Sequence, residues 1–260
     1  MAFYDLSKQE RVARVAQIQH DLLKALQSTM LETVEAYFED DDLYIRKAAY
    51  LGYGRCYSAY PDLRKNAILL LQQLANHSSE LVRQTVINAA GEIGIWQFEP
   101  VQDFFESGLQ DAHHKARNAV IGSLKKMSQK NPEPTLSWAK KYINHSDKEI
   151  RRQVCHGIEL RGRTHPEDVL PLLELLQFEK TKRVRDTLVH VLGQISYKKG
   201  CLSKVLDALR QWKDKTVVKD ALLEIIDVHS EKRYAKFTAL SQDQVITAIQ
   251  LQFPELDFSA

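Results

Sequence analysis

The sequence is poor in residues that interrupt regular structure: its 260 residues include only 10 Gly and 7 Pro. With 44% hydrophobic and 27% charged residues, it has enough apolar material for a sizeable core. That excludes disorder over most of the chain. No uncharged apolar run approaches the roughly 20 residues a membrane-spanning helix needs. The opening MAFYDLSKQER sets Asp5, Glu10 and Arg11 where a secretory leader needs an apolar stretch. Three cysteines, Cys56, Cys155 and Cys201, are odd in number and far apart. They argue against a disulfide framework and for a reducing compartment. A cytoplasmic protein of one or two domains is expected.

Chemical motifs are equally scarce. No HExxH, CxxC or paired Cys/His spacing occurs. The neighbours His113–His114 and Cys155–His156 would point about 100° apart on a helix, which suits no shared ion. GxSxG, GxxxxGK[ST] and a strand-to-helix GxGxxG are also missing. The sequence therefore names no catalytic residue, no metal and no cofactor.

What is present is a repeat. Arg46, Arg83, Arg117, Arg151, Arg185 and Lys219 follow one another at intervals of 37, 34, 34, 34 and 34 residues. The residue before each is Ile45, Val82, Ala116, Ile150, Val184 or Val218. Three residues on stand Ala49, Val86, Val120, Val154, Leu188 and Leu222; four on stand Tyr50, Ile87, Ile121, Cys155, Val189 and Leu223. These offsets make one apolar stripe of a helix. Four residues before the basic position lie Asp42, Ser79, His113, Asp147, Thr181 and Lys215. Four of these six are good N-caps, so a helix should start there. About 21 residues after it a second stripe reads Ala67, Phe104, Trp138, Leu172 and Leu206, behind Pro61, Pro100, Pro132 and Pro166. Proline is tolerated where a helix opens. Ser7 with Glu10, and Ser241 with Gln244, read as capping boxes for the first and last helices. The expectation is all-α: one α–α superhelix of about seven antiparallel helix pairs over 1–260. Residues 1–39 would cap it, 40–228 would form the central repeats, and 229–260 would be a second cap with a short tail.

The unit resembles HEAT repeats of the armadillo-type superhelix class. The likeness rests on LVRQTVINAAGEIG (81–94), IRRQVCHGIEL (150–160) and RVRDTLVHVLGQI (183–195). It implies second helices lining a concave face. It also implies a structural role for the recurring Arg46, Arg83, Arg117, Arg151, Arg185 and Lys219, bonding carbonyls or carboxylates of neighbouring loops. The tetratricopeptide pattern of Trp, Leu-Gly and Tyr is missing. Glycines such as Gly91 and Gly193 read as close-packing positions.

Charge is unevenly spread. Residues 1–109 carry 10 Lys/Arg against 15 Asp/Glu, residues 110–220 carry 23 against 13, and residues 221–260 carry 3 against 6. The basic middle points to an anionic partner. Lys130, Arg163 and Lys198 sit 13, 12 and 13 residues after their repeat Arg, with Arg161 and Lys199 beside them. Stacked helices lie roughly 10 Å apart, so this row would form a basic edge, with Lys140 and Lys141 adding to it. Lys115, Lys148 and Lys182 fall on the opposite edge, as in an evenly solvated surface.

A narrower resemblance lies in YIRKAAYLGYGRCYSAYPD (44–62), which is similar to a segment of the bacterial HEAT-like DNA alkylation repair family. It implies binding of damaged duplex DNA on a cationic concave face and, in the members that are alkylpurine DNA glycosylases, aromatic residues and a carboxylate that stabilise positive charge at the sugar. The clustered Trp-Trp-Asp segment of active members is absent, so no catalytic residue carries over. The leading expectation is a non-enzymatic HEAT-repeat binding scaffold with a basic central surface, for a protein or nucleic acid, DNA included. The alternatives are the glycosylase and a protein–protein assembly scaffold. No membrane partner is expected.

Overall fold

The structure is a computed structural model that describes residues 2–230, 232 and 234–255. The end of the expected tail, 256–260, lies outside the described residues. Every long element is an α-helix, and no strand occurs among the described residues. The chain divides into two compact units, residues 1–134 and 135–260.

The first unit holds α1 (Lys8–Ser28), α2 (Leu31–Glu39), α3 (Leu43–Ala59), α4 (Arg64–Leu74), α5 (Glu80–Gly94), α6 (Gln102–Leu109) and α7 (His114–Lys130). Helix α8 (Pro132–Tyr142) begins at the boundary. The second unit continues with α9 (Lys148–Gly157), α10 (Glu159–Gly162), α11 (Pro166–Glu174), α12 (Lys182–Gln194), α13 (Cys201–Gln211), α14 (Lys215–Ser230) and α15 (Gln242–Gln252). In the first unit α1, α3, α5 and α7 pack side by side in one layer, with α2, α4 and α6 behind them. In the second, α9, α12 and α14 form one layer, and α11, α13 and α15 the other. Each unit is thus a stack of helix pairs that bury their apolar faces against the next pair.

The repeat offsets explain the core. Positions just before the recurring base are buried in all six repeats, and so are those three residues after it. The position four residues after drifts: Ile87 and Cys155 are buried, Tyr50, Ile121 and Val189 are half-buried, and Leu223 is exposed. Second-layer Ala67, Phe104, Trp138, Leu172 and Leu206 are buried. Close approach requires glycine at Gly91, where a Cβ would lie 2.4 Å from Ser123 Oγ on α7.

Helix starts are more varied than expected. Both capping boxes, Ser7/Glu10 and Ser241/Gln244, are formed. Asp42 and Asp147 accept from backbone N–H groups of their first turns. Ser79 and Thr181 make no side-chain cap bond. Their own N–H groups are instead bonded by His77 Nδ1 and Glu179 Oε1. His113, not a preferred cap, accepts from Lys115 N–H. At Lys215 the cap is the residue before it: Asp214 Oδ1 accepts from the N–H groups of Thr216 and Val217. A lysine has only donors, so it offers nothing to a helix N-terminus.

The recurring arginines mostly reach back to the loop before their helix. Arg83 Nη1 donates to the carbonyls of His77 and Ser78 at 2.7 and 2.9 Å. Arg151 does the same to His145 and Ser146 at 2.8 and 2.9 Å. Arg46 and Arg117 bond the equivalent carbonyls of Asp40 and Asp41, and of Asp111 and Ala112. Arg83 also forks onto Asp111, and Arg151 onto Glu179. Arg185 departs from this pattern and pairs with Asp220. Lys219 is exposed.

Candidate functional site

The expected basic edge divides chemically. Arg161 is held by Asp168 at 2.7 Å. Arg163 bonds the Glu159 carboxylate and, at 2.7 Å, the Gln194 carbonyl oxygen. Its guanidinium also lies 5.7 Å from the Tyr197 ring centroid. Both arginines are therefore neutralised inside the second unit rather than offered to a partner. Lys130 is exposed in the last turn of α7, and Lys140 and Lys141 in the last turn of α8. Cations there complement the helix dipole, which accounts for them locally.

Lys198 and Lys199 are different. They lie in the turn after α12, ahead of Gly200, whose φ of 77° turns the chain into α13. Neither has an acidic partner among the described residues. They edge an open groove of about 680 Å³ within the second unit. Leu202 and Leu206 of α13, Ala248 of α15, Phe237 and Leu240 supply its apolar lining. Phe237 is 59% exposed and Leu240 37%. The 237–240 segment is pinned by Ala239 N–H donating to the Tyr197 carbonyl at 3.1 Å. His229 also lines the groove. Burial lowers its pKa, opposed by its bond to the Ile225 carbonyl. The 229–260 region was expected only to cap the stack, so Phe237 and Leu240 were missed. The signal available was two large apolar residues between the last two repeat-like helices.

Beneath the Lys198 turn, Gln194 Nε2 donates to Tyr234 Oη at 2.9 Å. Tyr197 and Tyr234 stack with centroids 5.4 Å apart. Gln194 thereby links this wall to Arg163 and the 1%-exposed Glu159. His156 Nε2 lies 3.0 Å from Glu159 Oε2. His190 Nδ1 lies 3.5 Å from Glu224 Oε1. Ligand atoms of His156, Glu159 and His190 all fall within 4.8 Å of one another. His156 thus joins Glu159 and His190, a grouping that its adjacency to Cys155 did not suggest.

Cys56, Cys155 and Cys201 are buried and free, and burial raises the thiol pKa of each. They read as core residues, not nucleophiles. Trp138 and Trp212 are buried, whereas Trp96 is 63% exposed. Trp96 borders a smaller groove with Leu51, Arg55 and Glu92 in the first unit. The Glu92 carboxylate is ion-paired to Lys126. A further crevice of about 430 Å³ is formed around the Arg83–Asp111 pair. Among the described residues, no helix is long and apolar enough to cross a membrane.

These features define the class as an all-α helix-pair repeat protein. No protein-family model matches the chain, and no curated protein matches it. Solved structures with similar helix arrangements include an engineered protein at 15% identity, covering 82% of this chain and 97% of that one, TM-score 0.39. A computationally designed armadillo repeat protein for modular peptide recognition is 16% identical, with coverage of 72% and 94% and TM-score 0.32. The complex of CpcE and CpcF of phycocyanin lyase from Nostoc sp. PCC7120 is 14% identical, with coverage of 86% and 94% and TM-score 0.29. At these TM-scores none of them says what this chain does.

Proposed function

We propose that this protein is a non-enzymatic binding scaffold whose partner is a protein segment carrying apolar side chains and carboxylates. The observation that carries this reading is the groove of the second unit, apolar along its floor and edged by Lys198 and Lys199. An exposed apolar patch is costly in water unless something covers it. The two lysines favour an acidic occupant and set its direction of approach.

Nucleic acid fits less well. With Arg161 and Arg163 neutralised, the expected edge keeps five lysines, of which Lys198 and Lys199 edge the groove and would neutralise two phosphates there. The log–log salt slope would then be about −2, well short of a protein making many phosphate contacts. Base excision has less support again, because the carboxylate beside exposed Trp96 is held by Lys126. Fold alone supplies no chemistry.

The test is a fluorescence-anisotropy titration of the full chain with four probes at two salt concentrations. The probes are a synthetic amphipathic peptide of Glu, Leu and Phe, its variant with Ser for Leu and Phe, and a duplex DNA with and without alkylated purines. The expected result is binding of the first peptide, weakened about tenfold or more by Phe237→Ser and by Lys198→Glu with Lys199→Glu. Equal binding of both peptides, or DNA binding with a steep salt slope, overturns the reading. Release of alkylated base in the same tubes would replace the scaffold with an enzyme.

A further inference from the structure

The position five residues after the recurring base is occupied by His156, His190 and Glu224 in three successive repeats, 34 residues apart. Stacking turns such a sequence period into a spatial column, because equivalent residues of adjacent first-layer helices face one another. The column runs along α9, α12 and α14 within the second unit. Glu159 enters it from α10, one turn after His156, where the helix is interrupted at Ile158. At Gly193 a Cβ would lie 2.5 Å from Glu224 Cγ, so only glycine lets α14 bring Glu224 this close to α12.

From this geometry we infer that His156, Glu159 and His190 form a site for a divalent transition-metal ion of the zinc type. Two imidazoles and one carboxylate are a donor set that suits Zn²⁺. Bonds of about 2.1 Å in a tetrahedral arrangement place donors about 3.4 Å apart. The three donor atoms already lie within 4.8 Å, and rotation of the two half-exposed imidazoles closes the difference. His156 presents Nε2 toward Glu159 Oε2.

The surroundings match what orients metal ligands elsewhere. Arg163 bonds Glu159 Oε1, leaving Oε2 on the histidine side. Glu224 Oε1 lies 3.5 Å from Nδ1 of His190; with the proton on that nitrogen, Nε2 would be left for the ion. Glu224 is thus a positioning residue, and the fourth position stays open to water. An ion here would clasp α9, α10 and α12 together.

The test uses the purified full chain, stripped with a chelator and titrated with Zn²⁺ alone by calorimetry, then with Co²⁺ for its visible spectrum. One ion per chain is expected, with a tetrahedral Co²⁺ spectrum and a rise in melting temperature. His190→Ala and His156→Ala should abolish all three signals while keeping the helical circular dichroism. Glu224→Gln should weaken affinity about 10–100-fold with stoichiometry unchanged. Absence of binding in the wild type overturns the site. So does binding that survives both histidine variants, or that is lost on His113→Ala with His114→Ala instead.

Discussion

Two rungs of the arginine ladder in the second unit, one repeat apart, are built differently. Arg151 meets the carboxylate of Glu179, 28 residues on, with side chains 16% and 7% exposed. Arg185 meets Asp220 instead, with exposures of 25% and 48%. At its own position 28 residues on stands Lys213, which cannot accept. Arg83 has Asp111 there and forms the buried type of rung. The carboxylate serves two helices at once. Glu179 accepts from Arg151 and from Thr181 N–H, and Asp111 from Arg83 and His113 N–H. A rung is therefore strong when an acid sits two residues ahead of the N-cap of the next first-layer helix, where it can also accept from the N-cap N–H.

The comparison can be broken at several scales. Deleting 241–253 removes Val245, Ile249 and Phe253 from the core and bares the apolar faces of α13 and α14. Concentration-dependent association is expected by light scattering, and an unchanged monomer would show that α15 is not a cap. Next, Val154→Ala and Leu188→Ala strike the core one turn beyond each rung. Both sites are fully buried, so each should cost about 2–4 kcal/mol by denaturant titration. A loss below about 0.5 kcal/mol would place the residue on the surface.

The rungs themselves should separate. Arg151→Met strands a nearly buried carboxylate and should cost about 2–3 kcal/mol. Arg185→Met should cost less than about 1 kcal/mol, since Asp220 keeps its water. Equal losses would erase the distinction between the two rungs. Gln153 sharpens it from the other side: it is fully buried on α9, and both side-chain amide atoms lack partners among the described residues. Gln153→Leu should stabilise by about 1 kcal/mol, and a loss of that size would mean water satisfies the amide.

Acid provides the gentlest probe. Burial opposes ionisation of Glu179, yet the bonds from Arg151 and Thr181 win and hold its pKa at about 2, against an ordinary 4.5. The unfolded chain then takes up the proton first. The rung's contribution is intact above about 4.5 and lost as pH falls toward about 2. Glu179→Gln should flatten stability across that window in acid-titrated unfolding. An unaltered slope would assign it to other carboxylates.

Most of the fold was readable because one period ran through the chain. Helix positions, the buried offsets and both capping boxes follow from local spacing. The recurring arginines stood out at once, but their acids did not, because Asp111 and Glu179 lie in loops outside the stripe. The candidate sites were less legible. Arg161 looked like free charge because Asp168 becomes its partner only once α11 has turned back, whereas Glu159, four residues before Arg163, was a partner that helical spacing could have shown. Lys198 and Lys199 were singled out by their spacing, but Phe237 and Leu240 were not, because they fall where the repeat lapses.

The sequence by itself determined the all-α repeat, its register and its core, since helical periodicity and capping are local properties. Tertiary structure alone decided which charges are spent and which remain. The Arg161–Asp168 pair, exposure of the apolar groove and convergence of His190 on His156 and Glu159 all depend on distances between helices. Those distances are set by how side chains and glycines pack across the stack.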